Sequence, residues 1–109
     1  MAHEKPIHET DLYQPVRGYL EELGYQVQGE VKGCDLAAVM GDDLIVVEMK
    51  TSFNLKLLSQ AVKRQRVTDS VYVAIPYPKG GKRTAAWRDM YILLRRLEIG
   101  LITVDLAKD

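Results

Sequence analysis

Two acidic residues and a lysine stand at the ends of a predicted β-hairpin. Asp35 precedes the apolar run Leu36–Met40, and Glu48 and Lys50 close the second apolar run, Leu44–Val47. The Gly-Asp-Asp segment between the two runs is typical of a tight hairpin turn. If the hairpin brings these three residues together, two carboxylates and an ammonium form a site that suits a metal ion and a phosphate.

The register of the hairpin decides whether these groups meet. With a two-residue turn that starts at Gly41, Met40 pairs with Asp43. Asp35 then lies directly opposite Glu48, with Cβ atoms about 5 Å apart. Opposed carboxylates repel unless a cation or a proton lies between them. Two alternatives are open: a three-residue turn would move the first carboxylate to the other face, and both charges could simply mark the ends of buried strands.

The composition predicts one domain, spanning residues 1–109, with a sizeable core. Hydrophobic residues make up 47% of the 109 residues, an ordinary share for a globular protein, and no apolar run is long enough to cross a membrane. The polar N-terminus shows no secretory signal. The single cysteine, Cys34, agrees with a reducing compartment and is interpreted as a small buried residue. We therefore predict a cytoplasmic protein with no membrane partner.

The charges are sorted along the chain although they cancel overall. Residues 1–50 carry ten acids against four bases, and residues 51–109 carry five acids against eleven bases. The acidic half contains the candidate metal ligands, and the basic half could meet a polyanion. This asymmetry is a modest indication of a nucleic-acid partner.

Periodicity and turn signals predict eight elements. In chain order these are a helix capped by Thr10 or Asp11 and ended by Gly24, a strand over Tyr25–Val31, the hairpin, a helix from Asn54 to about Val67, a strand over Val71–Ile75, a helix from Thr84 to Gly100 and a strand over Leu101–Leu106. The order αβββαβαβ implies an α/β fold with a mixed sheet and helices on both faces. We expect the second helix to bury Leu55, Leu58, Ala61 and Val62. Another face of this helix, with Lys56, Gln60, Lys63 and Arg64, is either solvated or directed at phosphate.

The hairpin residues and their surroundings resemble the PD-(D/E)XK nuclease superfamily, which has a restriction-endonuclease-like fold. In that pattern the Asp begins the second strand and the acid-x-Lys ends the third, as Asp35 and Glu48-x-Lys50 do here. The proline of the motif is absent, and Cys34 holds its place. The run EKPIHETDLYQPVRGYLEELGYQVQGEVKGCD, with SVYVAIP later, looks like a bacterial family assigned as phosphodiesterases of this superfamily. Members of that family continue past this point, so the resemblance implies that the chain is either a fragment or a short version.

The resemblance implies a nuclease that depends on Mg²⁺ (or Mn²⁺) and acts on nucleic acid, DNA before RNA. The metal ligands would be Asp35, Glu48, the backbone carbonyl of Met49 and, from the first helix, Glu9. Lys50 would orient the attacking water and stabilise the charge that builds on phosphorus. Gln60, Arg64 and Lys63 would bind substrate. The competing hypothesis is a nucleic-acid-binding or interaction module that keeps the fold without catalysis, and a homodimer is left open for either.

Overall fold

The structure is a computed structural model that describes residues 7–31, 35–78 and 81–106, without the side chains of residues 29–31, 35 and 82. Its helices and strands are α1 (Thr10–Glu22), β1 (Gln26–Val31), β2 (Asp35–Met40), β3 (Asp43–Met49), α2 (Leu55–Arg64), β4 (Ser70–Pro76), α3 (Ala85–Arg96) and β5 (Gly100–Val104). A short 3₁₀ turn, Gly81–Arg83, precedes α3. The predicted order αβββαβαβ is confirmed. None of the described helices combines the length and the apolar character that crossing a membrane requires.

The five strands form one mixed sheet in the order β1-β2-β3-β4-β5. The first three strands pair antiparallel, as consecutive hairpins allow, and β3, β4 and β5 pair parallel. Each parallel step needs a crossover connection, which α2 and α3 supply. This α/β arrangement, with helices on both faces, is consistent with a restriction-endonuclease-like core.

The β2–β3 hairpin has the register that a two-residue turn requires. Met40 pairs with Asp43 and Leu36 pairs with Val47. Gly41 has a φ of 60°, a backbone conformation that glycine adopts at little cost. The predicted register is confirmed, and one further step along it places Asp35 at the strand position opposite Glu48.

The helices divide the core between the two faces of the sheet. On the face covered by α1, here called the α1 face, the buried cluster consists of Leu12, Val16, Leu20, Leu36, Ala38, Ile45, Val47, Met49, Ala74 and Val104. On the face covered by α2 and α3, called the α2–α3 face, the buried cluster is Leu57, Ala61, Val71, Val73, Ile75, Met90, Leu94 and Ile99. Because side chains alternate along a strand, β3 sends Val47 to the α1 face and Glu48 to the α2–α3 face.

Two of the three predicted helix caps are confirmed. The side-chain oxygen of Asn54 accepts a hydrogen bond from the Leu57 N–H at 2.8 Å, and the Thr84 hydroxyl accepts one from the Trp87 N–H at 3.1 Å. Such bonds satisfy N–H groups that the first turn leaves without a helical partner.

The cap predicted for α1 is wrong. Its N-cap residue is Glu9, which makes no side-chain cap bond, and the helix already includes Thr10. The Asp11 carboxylate instead accepts a hydrogen bond from the His8 N–H at 2.9 Å. The helix therefore begins one residue earlier than a cap at Thr10 would place it, and two residues earlier than a cap at Asp11 would.

The predicted buried face and end of α2 are also corrected. Ala61 is buried as predicted, and Leu58 is partly buried. Leu57, which was not predicted, is buried as well, whereas Leu55 is 78% exposed and Val62 is 40% exposed. The helix ends at Arg64 rather than near Val67. Apolar spacing allowed two neighbouring stripes, and only the position of α2 on β3 and β4 selects between them.

The predicted end of α3 at Gly100 lies too far along the chain. The helix ends at Arg96, and Glu98, with a φ of 60°, takes the left-handed position after it. Gly100 begins β5 directly under the ring of Tyr72, where an added Cβ would overlap that ring. The glycine is required by this close approach and not by the end of the helix.

Candidate functional site

Glu48 is a carboxylate buried at the end of β3. Only 2% of the surface of this residue is exposed to solvent. Its Oε2 lies 2.6 Å from Nε of Arg64. A buried carboxylate is costly unless a cation or hydrogen-bond donors compensate it. Arg64, at the last position of α2 and with a side chain that is 40% exposed, supplies that charge from the water-facing side.

Lys50 continues the line of β3 by one residue. Its N–H donates to the carbonyl of Ala74 at 3.1 Å, which keeps the backbone beside β4. Its ammonium lies 3.3 Å from Oε2 of Glu9, and the two side chains are 25% and 34% exposed. The N-terminal end of α1 thus brings Glu9, predicted as a metal ligand, into contact with the predicted catalytic lysine.

The Met49 side chain and its carbonyl belong to different surroundings. The side chain is 2% exposed and packs into the cluster on the α1 face. The carbonyl of one strand residue and the N–H of the next point to opposite neighbouring strands. The Lys50 N–H points to β4. The Met49 carbonyl therefore points toward β2, at the end of the sheet where Asp35 begins that strand.

The substrate-binding residues predicted on α2 occupy different environments. Gln60 lies one helical turn before Arg64 and therefore on the same side of α2. Its Oε1 is buried and has no hydrogen-bond partner among the described residues. Lys63 is exposed and lies about 100° around the helix from its neighbour Arg64. The structure brings Gln60 and Arg64 to the side of the sheet that carries Glu48, and leaves Lys63 facing solvent.

The oxygen atoms at this end of the sheet fit a hard divalent cation. They include the Glu48 carboxylate, the Met49 carbonyl and the buried Gln60 Oε1. Oxygen is the ligand type that Mg²⁺ prefers. Within residues 7–31, 35–78 and 81–106, no three His, Cys, Asp or Glu side chains group as a metal site. The Asp35 side chain lies outside the described set, so its distance from Glu48 stays a prediction.

The sequence patterns did not predict either of the two ion pairs at the site. The pairs Arg64–Glu48 and Lys50–Glu9 join residues 16 and 41 positions apart. The available signal was weak: a basic residue on the helix that follows β3, and an acid at the entry to α1. Between β4 and α3, Arg83 is exposed, and its carbonyl accepts a hydrogen bond from the Arg88 side chain at 2.7 Å.

The protein is an α/β domain, consistent with a restriction-endonuclease-like core, that buries a carboxylate at the end of its third strand. Two solved structures share this fold. One is an fdxN element excision controlling factor protein from Anabaena variabilis, with a TM-score of 0.59 and 18% identity over 90% of this chain and 93% of that chain. The other is an XisH family protein from Nostoc punctiforme, with a TM-score of 0.57 and 19% identity over 88% of this chain and 91% of that chain. No protein-family model matches the sequence, and no curated protein matches it.

Proposed function

We propose that this protein is a Mg²⁺-dependent nuclease that hydrolyses phosphodiester bonds in DNA. The observation that supports it most is the burial of Glu48 at the end of β3, opposite the strand position of Asp35 and two residues before Lys50. Charged residues are almost never fully buried unless paired, as Glu48 is with Arg64, and such groups cluster at functional sites. A buried carboxylate beside the strand position of a second acid would suit a metal ion, and this supports the proposal.

Asp35, Glu48 and the Met49 carbonyl would hold the cation. When bound, Mg²⁺ lowers the pKa of a coordinated water and neutralises charge on the phosphate. Lys50 positions that water and stabilises the negative charge that develops on the phosphoryl oxygens. Its contact with Glu9 restricts the lysine side chain beside the end of β3, and the partial exposure of both residues lets a substrate phosphate compete for the ammonium.

Arg64 has two roles in this proposal. It compensates the charge of Glu48 when no metal is bound, because its Nε contacts the carboxylate. Its side chain is also 40% exposed, so the same guanidinium faces the water from which a phosphate would approach. Gln60, one turn earlier, directs a buried amide oxygen without a described partner toward the α2–α3 face and would position substrate or a metal-bound water.

A non-catalytic DNA-binding module is the second candidate. The two charge pairs support it, since both cations at the site have carboxylate partners without any substrate. One of the structural neighbours is named as an fdxN element excision controlling factor, and a controlling factor can act through binding alone. The likeness to that protein, at 18% identity, carries only the fold, so the choice between the candidates depends on activity.

The test is the replacement Lys50→Met, which keeps most of the side-chain stem and removes the charge. We expect cleavage of plasmid and of short single strands, in Mg²⁺ and in Mn²⁺, to fall roughly 10²–10³-fold, the usual loss when one electrostatic contact to the transition state is removed. Nucleic-acid affinity at fixed salt should barely change, because one phosphate contact among several contributes little of the total.

Arg96→Met is the control for loss of a positive charge, because Arg96 is exposed in the last turn of α3 and lies outside the proposed site. It should cut and bind like the wild type. If the wild type cuts neither substrate with either metal, and Lys50→Met only weakens binding, the non-catalytic module replaces the nuclease.

A further inference from the structure

An aromatic cavity lies beside the proposed site at the carboxyl ends of β3 and β4. Its volume is about 420 Å³, within the range of small-molecule sites. Its walls come from the segment after β3, the end of β4 and the first turn of α3, and the residues used below are Thr51, Phe53, Tyr77, Thr84 and Trp87. No charged side chain of the described residues lines it.

The cavity adjoins an open cleft near Lys50. Thr51 directly follows this lysine and lines both the cavity and a more open cleft of about 440 Å³. Ile7 also lines both, and the wall of the open cleft includes Glu9, whose carboxylate contacts the Lys50 ammonium. A ligand with one end at the ammonium can therefore extend past Thr51 into the aromatic space.

The walls of the cavity suit a flat heterocycle. Phe53, Tyr77 and Trp87 supply three aromatic rings from three separate segments. Phe53 and Trp87 pack against the cluster on the α2–α3 face, which holds their rings in place, while Tyr77 is 41% exposed at the rim. Aromatic walls stack on any base because every base has a π-face, and the hydroxyls of Thr51 and Thr84 add polar atoms for its edge.

The distribution of charge indicates where the base and the phosphate of such a ligand would bind. A phosphate requires cations, which the described cavity walls lack. The ammonium of Lys50 lies nearby, against Glu9 of the adjoining open cleft. A base within a duplex is stacked between its neighbours, so only an unpaired or extruded base can enter. We propose that this cavity receives the base of an unpaired nucleotide whose phosphate lies at Lys50; this assignment deepens the proposed function and rests on it.

The single tryptophan makes the cavity directly observable. Trp87 is the only tryptophan in the chain, so a base that stacks in the cavity should quench or shift the intrinsic fluorescence. Titration with dTMP and dAMP, without divalent metal, should give a saturable change. Deoxyribose 5-phosphate, which has no base, should give none. An equal response to the sugar phosphate would show phosphate binding alone and overturn the proposal.

Two variants and a control assign the signal to the cavity. Phe53→Leu and Tyr77→Leu should each weaken dAMP binding about tenfold, in line with the loss of one stacking contact. Tyr91→Leu removes a 46% exposed ring of α3 that lies outside the cavity wall and should leave the affinity unchanged. Tyr77 is at the exposed rim, so its variant keeps the test valid if Phe53→Leu fails to fold. Equal affinities in Tyr77→Leu and Tyr91→Leu would overturn the proposal.

The experiments can reject the proposal for the cavity and the proposal of nuclease activity independently of each other. If nucleotides bind as expected and no DNA is cut, the cavity stands without the nuclease. If single strands are cut, an abasic residue at the nucleotide beside the cleaved phosphate should reduce cutting about tenfold, again the value of one stacked base. Equal cutting of abasic and normal strands, together with no base-dependent fluorescence change, would reject the cavity and leave the nuclease intact.

Discussion

The two faces of the sheet bury different kinds of residue. The cluster on the α1 face is entirely apolar, and ten residues from α1 and four strands form it. The α2–α3 face has its own apolar cluster, yet it also buries the carboxylate of Glu48. The aromatic cavity opens beside that second face, between the ends of two strands and the start of α3.

A single strand produces this division. Alternation along β3 sends Val47 and Met49 to the α1 face and Glu48 to the α2–α3 face. Lys50 follows the strand and contacts Glu9 at the start of α1. The apolar pair contributes to stability through burial, while the charged pair needs compensation from Arg64 and Glu9. The comparison indicates that burial on the α1 face mainly stabilises the sheet, and the chemistry that we propose involves Glu48 on the α2–α3 face.

The largest effect should follow from opening the core of the α1 face. Leu12 is 0% exposed at the centre of this cluster. Leu12→Ala should lower the free energy of unfolding by about 2–5 kcal/mol, the range for leucine truncation in a packed core, measured by denaturant titration. Leu23→Ala, at a position that is 53% exposed, should change it by less than about 0.5 kcal/mol. Similar losses in the two variants would contradict the assignment of stability to this face.

The next effect concerns charge compensation on the α2–α3 face. Arg64→Met should lower the free energy of unfolding by about 1–2 kcal/mol, less than the 3–5 kcal/mol of a fully buried pair, because the Arg64 side chain is 40% exposed. The matched variant Arg66→Met, at an exposed position just after α2, should have little effect.

A bound metal ion should stabilise the folded protein through residues of the α2–α3 face. A cation at a hundredfold excess over its Kd adds about 2.7 kcal/mol if it binds only the folded state. The melting temperature should therefore rise with Mg²⁺ or Mn²⁺, and rise further in Arg64→Met, where no guanidinium competes for Glu48. The rise should vanish in Asp35→Asn and persist in Asp42→Asn, a change in the exposed hairpin turn. Equal shifts in both Asn variants would place the bound ions elsewhere.

The smallest effect is expected at Gly18, and Gly100 provides a contrast of opposite sign. A Cβ at Gly18, inside α1, would meet nothing within 4 Å, so Gly18→Ala should stabilise by about 0.5–1 kcal/mol through helix propensity. Gly100→Ala should instead destabilise, because its Cβ would overlap the Tyr72 ring. Thermal unfolding of both variants measures the two signs, and stabilisation by Gly100→Ala would show that the ring does not pack there.

Local patterns in the sequence determined the elements and the hairpin. The glycine-first turn set the pairing of Met40 with Asp43, and the caps at Asn54 and Thr84 set the starts of α2 and α3. These features depend on residues within a few positions of one another, so their physical causes are visible in the chain itself. The αβββαβαβ order followed from the same local signals.

Tertiary structure alone decided the rest of the site. The apolar spacing of α2 allowed either Leu55 or Leu57 to be buried, and the docking of the helix on β3 and β4 selected Leu57. The pairs Arg64–Glu48 and Lys50–Glu9, and the cavity beside Thr51, likewise depend on where the crossover and the end of α1 place distant segments. No local pattern encodes these distances, because they are set by the packing of helices on a sheet that forms only when the whole chain has folded.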